Sequence, residues 1–492
     1  MGGRSNLNGE RAMRTRIWAS WLVAGIVSAA CATNPVTGRS ELSLVSESQE
    51  ISMGQQAKQE VAASIGLYDD AQAQAYVSNL GKKLAANSER PTLPWSFQVV
   101  DDPAVNAFAL PGGPIFVTRG IMTTLNSEAE LAAVMGHEIG HVTAKHSVQQ
   151  ISRAQVAQIG LGVGSILSPT VANYAGLAST GLSLLFLKYG RDAESQSDAL
   201  GFKYSLNANY DVREMLDVFR TLERVGASSG GGGLPEWLSS HPNPENRLTA
   251  TQRRIDSIGG RIPANAVVNR DSYLRIVDNM VYGENPRQGF FRGGLFLHPE
   301  LRFQIQFPQG WKYQNQTAAV IAVSPNNDAA IQLTLVPNKS PDQSNTEFFS
   351  QQGIRALQTN RTNINGNAAV SSAFEAQTQD GVVRGVVTWL SYGGSTYQIL
   401  GYTSAAKISS YNNDIMSTAG SFRTLTDQSA LNVQPMRIAL VKVPRAMTLE
   451  QFYQQYPSAV KVEEIGLIND LTAGQTIAAG TTVKRVTGTA AP

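Results

Sequence analysis

Ser127-Glu-Ala-Glu130-Leu-Ala-Ala-Val-Met-Gly-His137-Glu138-Ile-Gly-His141-Val-Thr-Ala-Lys-His146 is the stretch on which the reading of this chain turns. Residues four apart on an α-helix sit about 40° past one full turn. Both imidazoles of His137 and His141 therefore leave one face and can converge on a Zn2+ ion, with Glu138 beside it to take a proton from water. That spacing predicts a metallopeptidase core. With 5 His in 492 residues, random placement gives roughly 0.004 such matches. Ser127 and Glu130 read as a capping box that starts a helix. Leu131, Val134, Met135, Ile139 and Val142 follow at helical spacing as an apolar stripe. The competing reading is a pair of ordinary histidines on a buried helix.

A catalytic zinc takes three protein ligands and keeps a fourth position for water. The metzincin pattern is excluded, because Ser147 and Ala144 stand where its third His and its Gly belong. On a continuous helix His146 lies about 140° around from His141 and cannot close the same site, which leaves it packing or supporting a ligand. The segment Lys188-Tyr-Gly-Arg-Asp-Ala-Glu194-Ser-Gln-Ser-Asp198-Ala-Leu-Gly201 is the best source of the third ligand. Glu194 and Asp198 share one helical face, so Glu194 can reach the ion while Asp198 hydrogen-bonds a ligand imidazole. From spacing alone, a solvated charged face serves equally well.

The HEIGH motif with VTAKHS, the Glu194-x-x-x-Asp198 pair and the segment SSHPNPENRL together resemble metallopeptidase family forty-eight, the CAAX prenyl protease and HtpX-like gluzincins. The likeness runs from about Asn34 to about residue 285. It implies a gluzincin site with Glu194 as third ligand of one zinc and polypeptides as substrates. It also implies that His241 and Arg247, matching the family's HPxxxxR, approach the zinc and the substrate carbonyl, where they would stabilise an oxyanion. In periplasmic relatives this His can also occupy the open zinc position. Ser197 departs from the family's Ala, a small change. The Gly230 to Gly233 run ahead of His241 either lets that loop move or is plain linker.

Asn106 to Thr118 reads as a turn at Pro111 to Pro114 and then a short strand. Pro114 cannot donate to a ladder and so suits an edge strand. Ile115, Phe116, Val117 and Thr118 are the candidate rail for an extended peptide, against the alternative of a plain core strand.

An apolar content of 42%, a charged content of 16% and a net charge of +2 describe globular material and give no case for nucleic acid. Arg11, Arg14 and Arg16 precede an apolar run from Trp18 to Ala30 that ends at Cys31, the only cysteine. This resembles a bacterial lipoprotein leader, with Cys31 lipidated and Met1 or Met13 as the start. Ala32 after it points to the periplasmic face of the outer membrane. Residues 154 to 187 carry no charge, but Ser168-Pro169 divides them into pieces, which favours buried or site-covering helices over a membrane hairpin.

Beyond residue 290 the pattern changes. Leu301 to Phe307, parts of Ala329 to Val336, and Val382 to Tyr402 broken at Gly393-Gly394 predict an antiparallel sheet. Helical patterns at Thr346 to Leu357 and Ser410 to Phe422 place helices on one side of it. His298 reads as structural. The tail, with a strand at Ile438 to Val443 and a helix start at Thr448-Leu449, resembles a degenerate LysM unit, whose family binds peptidoglycan.

The expected fold class is multidomain α+β: a leader at 1–31, a mainly helical zincin domain at 32–290, a PsbP-like α+β domain at 296–427 and a LysM-like module at 434–488. The expected function is a zinc endopeptidase in envelope quality control. The alternative is a latent peptidase acting as a chaperone or wall-bound scaffold.

Overall fold

The computed structural model describes residues 31–161, 189–228, 241, 247–259, 261–316, 319–336, 338–378 and 381–489. The leader and most of the uncharged run at 154–187 lie outside these residues. Among the described residues no helix is long and apolar enough to cross a membrane. The chain is mixed α and β and divides into two compact units.

The first unit holds most of the chain up to Ile276. A short hairpin, β1 (Cys31–Thr33) with β2 (Ser40–Leu42), leads to α1 (Glu47–Ser64) and α2 (Ala71–Ala85). A three-stranded sheet follows, built of β3 (Ser96–Val100), β4 (Ala107–Ala109) and β5 (Pro114–Thr118) in the order β3-β5-β4. After α3 (Arg119–Thr124) comes α4 (Glu128–Thr143), then α5 (His146–Leu161), α6 (Arg191–Asn207), α7 (Glu214–Ser228), α8 (Arg247–Ser257) and α9 (Arg270–Val277).

Helix α4 is buried on every side except at its first residue, as a helix at the centre of a core must be. Its start is fixed by Ser127 Oγ, which accepts from Glu130 N at 3.1 Å. Glu130 reaches one residue further back than a capping box requires and accepts from Asn126 N at 2.7 Å. The helix ends because Lys145 adopts φ +61°, a left-handed conformation that the helical ladder cannot continue. Helix α5 then sets off in a new direction from His146.

The second unit takes residues 277 onward, together with 62–68 and 100–103. Short strands β6 (Phe290–Arg292), β7 (Leu295–His298), β8 (Phe303–Gln306) and β16 (Arg423–Thr424) form one sheet in the order β16-β8-β7-β6, followed in the chain by the short helix α12 (Gln428–Leu431), and β18 (Met447–Thr448) pairs with β19 (Thr476–Ile477). The main sheet of this unit is antiparallel: β12 (Ile354–Ile364), β13 (Asn367–Thr378), β14 (Gly381–Tyr392), β15 (Ser395–Ser404), β11 (Ala329–Val336), β10 (Ala319–Val323) and β9 (Lys312–Asn315), in that order. Gly393 and Gly394 carry the β14–β15 turn at φ +59° and +81°, as a two-residue hairpin demands.

Helices cover both faces, contrary to the one-sided expectation. Phe348 and Phe349 of α10 (Pro341–Ser350) pack on Phe374, Val387 and Trp389, while Ile415 and Ala419 of α11 (Ile408–Gly420) pack with Val386, Leu390 and Ile399. Six consecutive buried residues in the middle of β14 result, because a strand with two covered faces loses its alternation. The pattern at 346–357 is also divided differently: the helix starts at the Ser340–Gln343 capping box, and residues from Ile354 form the edge strand β12.

The tail forms a small β-α-α-β arrangement in which β17 (Arg437–Lys442) pairs antiparallel with β20 (Thr482–Thr487). Between them stand α13 (Leu449–Gln455) and α14 (Val462–Ile468), around a core of Ile438, Phe452, Ile465 and Val483.

Candidate metal centre

Small residues let α4 and α6 cross at close range. A Cβ on Gly201 would lie 2.8 Å from His137 N, and one on Gly140 would lie 3.1 Å from Ser197 Cα. This approach brings Glu194, in the first turn of α6, to the imidazoles of α4. His137 Nε2 lies 3.0 Å from His141 Nε2 and 3.4 Å from Glu194 Oε2, and His141 Nε2 lies 3.4 Å from Glu194 Oε1. His241 completes the group, its Nδ1 standing 3.3 Å from His137 Nε2 and 3.1 Å from Glu194 Oε1. One donor atom from each of the four residues lies within 4.8 Å of the others, and all four residues are buried.

The donor set fits a divalent cation. A tetrahedral ion with ligands at about 2.0–2.1 Å holds them roughly 3.3 Å apart, and the five separations above span 3.0 to 3.4 Å. Glu194 Oε2 is buried and accepts no hydrogen bond. An orphaned carboxylate oxygen is costly unless a cation satisfies it. Burial opposes ionisation of Glu194, yet His241, with His137 and His141 beside it, holds its pKa far below the usual carboxylate range.

Each imidazole that α4 gives to the cluster has a partner behind it. His137 Nδ1 meets Asp198 Oδ1 at 2.9 Å. Arg247 Nε donates to Asp198 Oδ2 at 2.9 Å, and its guanidinium lies 4.3 Å from the centre of the Phe219 ring. Burial would raise the Asp198 pKa, but the charge of Arg247 and the bond to His137 hold it well below normal. Burial disfavours a charged His137, yet Asp198 and Glu194 push its pKa up to about 9. His141 instead meets His146, Nδ1 to Nδ1 at 3.0 Å, and burial drives both of these pKa values down. The Tyr189 ring lies 4.0 Å from that of His141, and its hydroxyl meets Ser147 Oγ at 2.8 Å.

The carbonyls at the end of α4 are capped by side chains from distant segments. Arg90 Nη1 donates to Val142 O at 3.1 Å while paired with Glu50, and Asn34 Nδ2 donates to Ala144 O at 3.3 Å.

Glu138 is 1% exposed, and its Oε1 accepts no hydrogen bond. His241 Nε2 lies 3.6 Å from that oxygen. Burial raises the pKa of Glu138.

His137, His141, Glu194 and His241 therefore meet, Glu138 lies beside them, and Asp198 stands behind His137. Arg247 stands behind His137, paired with Asp198. One expectation needs correction. Ile115, Phe116, Val117 and Thr118 cannot offer an edge, because β5 lies between β3 and β4 and is wholly buried. Cys31 begins β1, paired with Leu42. His298 Nδ1 accepts from Leu301 N at 3.2 Å, a structural bond. Gln196 and Tyr189 also stand at this cluster, and no spacing in the sequence points to them.

The profile of peptidase family M48 matches residues 71–255. The beta-barrel assembly-enhancing protease of Yersinia pestis is 27% identical over 264 residues, covering 50% of this chain and 54% of that protein. The mitochondrial metalloendopeptidase OMA1 of Arabidopsis thaliana is 34% identical over 169 residues, 34% of this chain and 33% of that protein. The chain thus spans about half or less of the length of these curated relatives. Among solved structures, the cyanobacterial PsbP protein CyanoP from Synechocystis matches 28% of this chain and 95% of its own at 11% identity, with a TM-score of 0.23 that carries no argument about fold. Residues 71–255 of this chain are thus related to peptidase family M48.

Proposed function

We propose that the chain is a zinc-dependent endopeptidase of the bacterial cell envelope, with His137, His141 and Glu194 as zinc ligands and Glu138 as general base. One observation carries this reading: four buried donors of the right kinds within 4.8 Å of one another, five of their separations, each taken to the nearer Glu194 oxygen, lying between 3.0 and 3.4 Å, close to tetrahedral spacing. Two nitrogens and a carboxylate favour zinc over the oxygen-preferring cations. Zinc held there supplies Lewis acidity, which polarises a scissile carbonyl and acidifies water.

Glu138 receives the proton of the attacking water and passes it to the leaving amine. Its pKa, raised by burial, suits both halves of that transfer. His241 fills the fourth corner in the resting arrangement and must leave before a peptide enters. Displaced, it stands near enough to donate to the developing oxyanion. Arg247 and Asp198 act through His137 by fixing its orientation. An extended polypeptide pairs with β4, the strand at the edge of the three-stranded sheet that packs against α4.

A purely structural zinc would have no use for Glu138. A carboxylate oxygen buried without a hydrogen bond costs stability, and its place beside the donors is accounted for by catalysis. The envelope assignment is supported by the leader ending at Cys31 and by the relative named for beta-barrel assembly enhancement. On that footing the protein is periplasmic and held by lipid at the outer membrane, with misassembled envelope proteins as substrates. The β-α-α-β tail supports a LysM-like role toward peptidoglycan.

The test is Glu138→Gln in the full chain, read by zinc content and by cleavage of an unstructured polypeptide. Zinc near one per chain, an unchanged melting temperature and cleavage reduced at least a thousandfold are expected. Retained cleavage overturns the assignment.

A further inference from the structure

His146 stands outside the donor set, yet both of its ring nitrogens are engaged in a way that bears on His141. Its Nε2 lies 2.9 Å from Gln196 Oε1, and its Nδ1 lies 3.0 Å from His141 Nδ1. An amide oxygen only accepts, so the His146 ring carries its proton on Nε2 and presents a lone pair at Nδ1. The bond between the two Nδ1 atoms then has one donor, the Nδ1–H of His141. With its single proton there, His141 is left with a lone pair on Nε2, the atom that faces His137 and Glu194. Ser197 Oγ, 3.3 Å from the same His146 Nδ1, can donate to it as well.

We propose that Gln196 and His146 form a directional hydrogen-bond relay that fixes the tautomer of His141, so that its metal-facing nitrogen is always free of a proton. His146 and Gln196 are then positioning residues for the metal centre. This inference rests on the reading of His141 as a metal ligand. The two imidazoles of α4 are set by different means: His137 by a carboxylate, His141 by a neutral chain ending in an amide. Reversing the amide of Gln196 would reverse every bond in the chain and put a proton on His141 Nε2, where an ion must bind. Gln196 lies two residues after Glu194 on α6, so one helical turn supplies both a ligand and the group that orients another ligand.

The break in the helix makes the relay possible. The left-handed Lys145 re-aims His146 toward His141, which an unbroken helix would have turned about 140° away.

The experiment compares the full chain with His146→Leu, His146→Asn and Gln196→Leu, titrating Zn2+ against a chromophoric chelator. The Asn side chain places an amide oxygen where His146 Nδ1 stood and keeps an acceptor for His141. His146→Leu and Gln196→Leu are expected to weaken zinc binding 10- to 100-fold, and His146→Asn to stay within about threefold of the parent. Melting curves confirm that each variant is folded. Long-range 15N spectra of the histidine-labelled parent, which has 5 His, should show the proton on Nε2 of His146 and on Nδ1 of His141. A proton on His146 Nδ1, or equal affinity for the Leu and Asn variants at that position, overturns the relay. A parent protein that takes up no zinc overturns the metal-centre reading itself, and the relay with it.

Discussion

At the scale of single residues, the fourth corner of the donor set is where rest and turnover must differ. His137, His141 and Glu194 are carried by two helices in direct contact, whereas His241 comes from a separate segment and shares no helix with them. A donor outside that pair of helices is the one that can leave while α4 and α6 stay packed. His241→Ala is therefore expected to keep zinc within about tenfold of the parent affinity and to increase cleavage of an unstructured polypeptide several-fold. A steady-state assay at matched zinc content checks this, and unchanged turnover would show that His241 does not gate. The residues whose roles could be read from sequence are those tied by short-range geometry: His137, Glu138 and His141 through the helical repeat. Glu194 was one of two equal readings by spacing and was decided only by resemblance. His146 reads from sequence as packing or supporting a ligand, but how it reaches His141 is not legible there, because a projection along an unbroken helix does not foresee the one left-handed residue that changes where everything after it points. The contact of Arg247 with Asp198 is likewise invisible in sequence, where nothing shows that the two meet behind His137.

At the scale of elements, the distance between α4 and α6 decides whether a metal site exists at all. Gly136, Gly140 and Gly201 line the crossing, and Gly201 has the least room, its hypothetical Cβ lying 2.8 Å from His137 backbone nitrogen. Backbone on one side and a helix on the other leave no flexible atom to yield. Gly201→Ala is expected to push the helices apart, destabilise the fold by on the order of 1–3 kcal/mol and carry Glu194 out of reach of the ion. Zinc content and melting temperature measured together check it, and parental values for both would show that the crossing tolerates a methyl group. Helix α4 was legible in advance because its cap, apolar stripe and ligands agree. Strand β5 is misplaced by sequence because Pro114 suggests an edge, whereas pairing with β4 on one side and β3 on the other puts it at the centre of the sheet. Strand β12 was missed for the opposite reason: exposed along nearly its whole length, it has no buried face to write an alternating pattern.

At the scale of the whole molecule, every donor comes from the first unit, while the apolar cores around Phe296 and Ile331 and around Ile438 and Phe452 belong to the second. A bound ion stabilises what it ties together, by about 4 kcal/mol when free metal is a thousand times its Kd. Removing it should loosen α4 and α6 and leave the second unit's sheet as it was. Hydrogen exchange followed before and after chelation should therefore show faster exchange in residues 128–143 and 191–207, with no change in 329–336 or 395–404. The effect must also depend on pH with a definite sign. In the metal-free protein His137 holds its proton up to a pKa of about 9, and zinc has to displace that proton to bind. Below that pH, each unit of acidification costs about tenfold in apparent affinity. A fixed chelator concentration that barely perturbs exchange in α4 at pH 8.5 should strip the site at pH 6.5. If chelation sped exchange equally in both units, the ion would not be held by these four residues. If the response were the same at both pH values, His137 would not be giving up a proton to the metal.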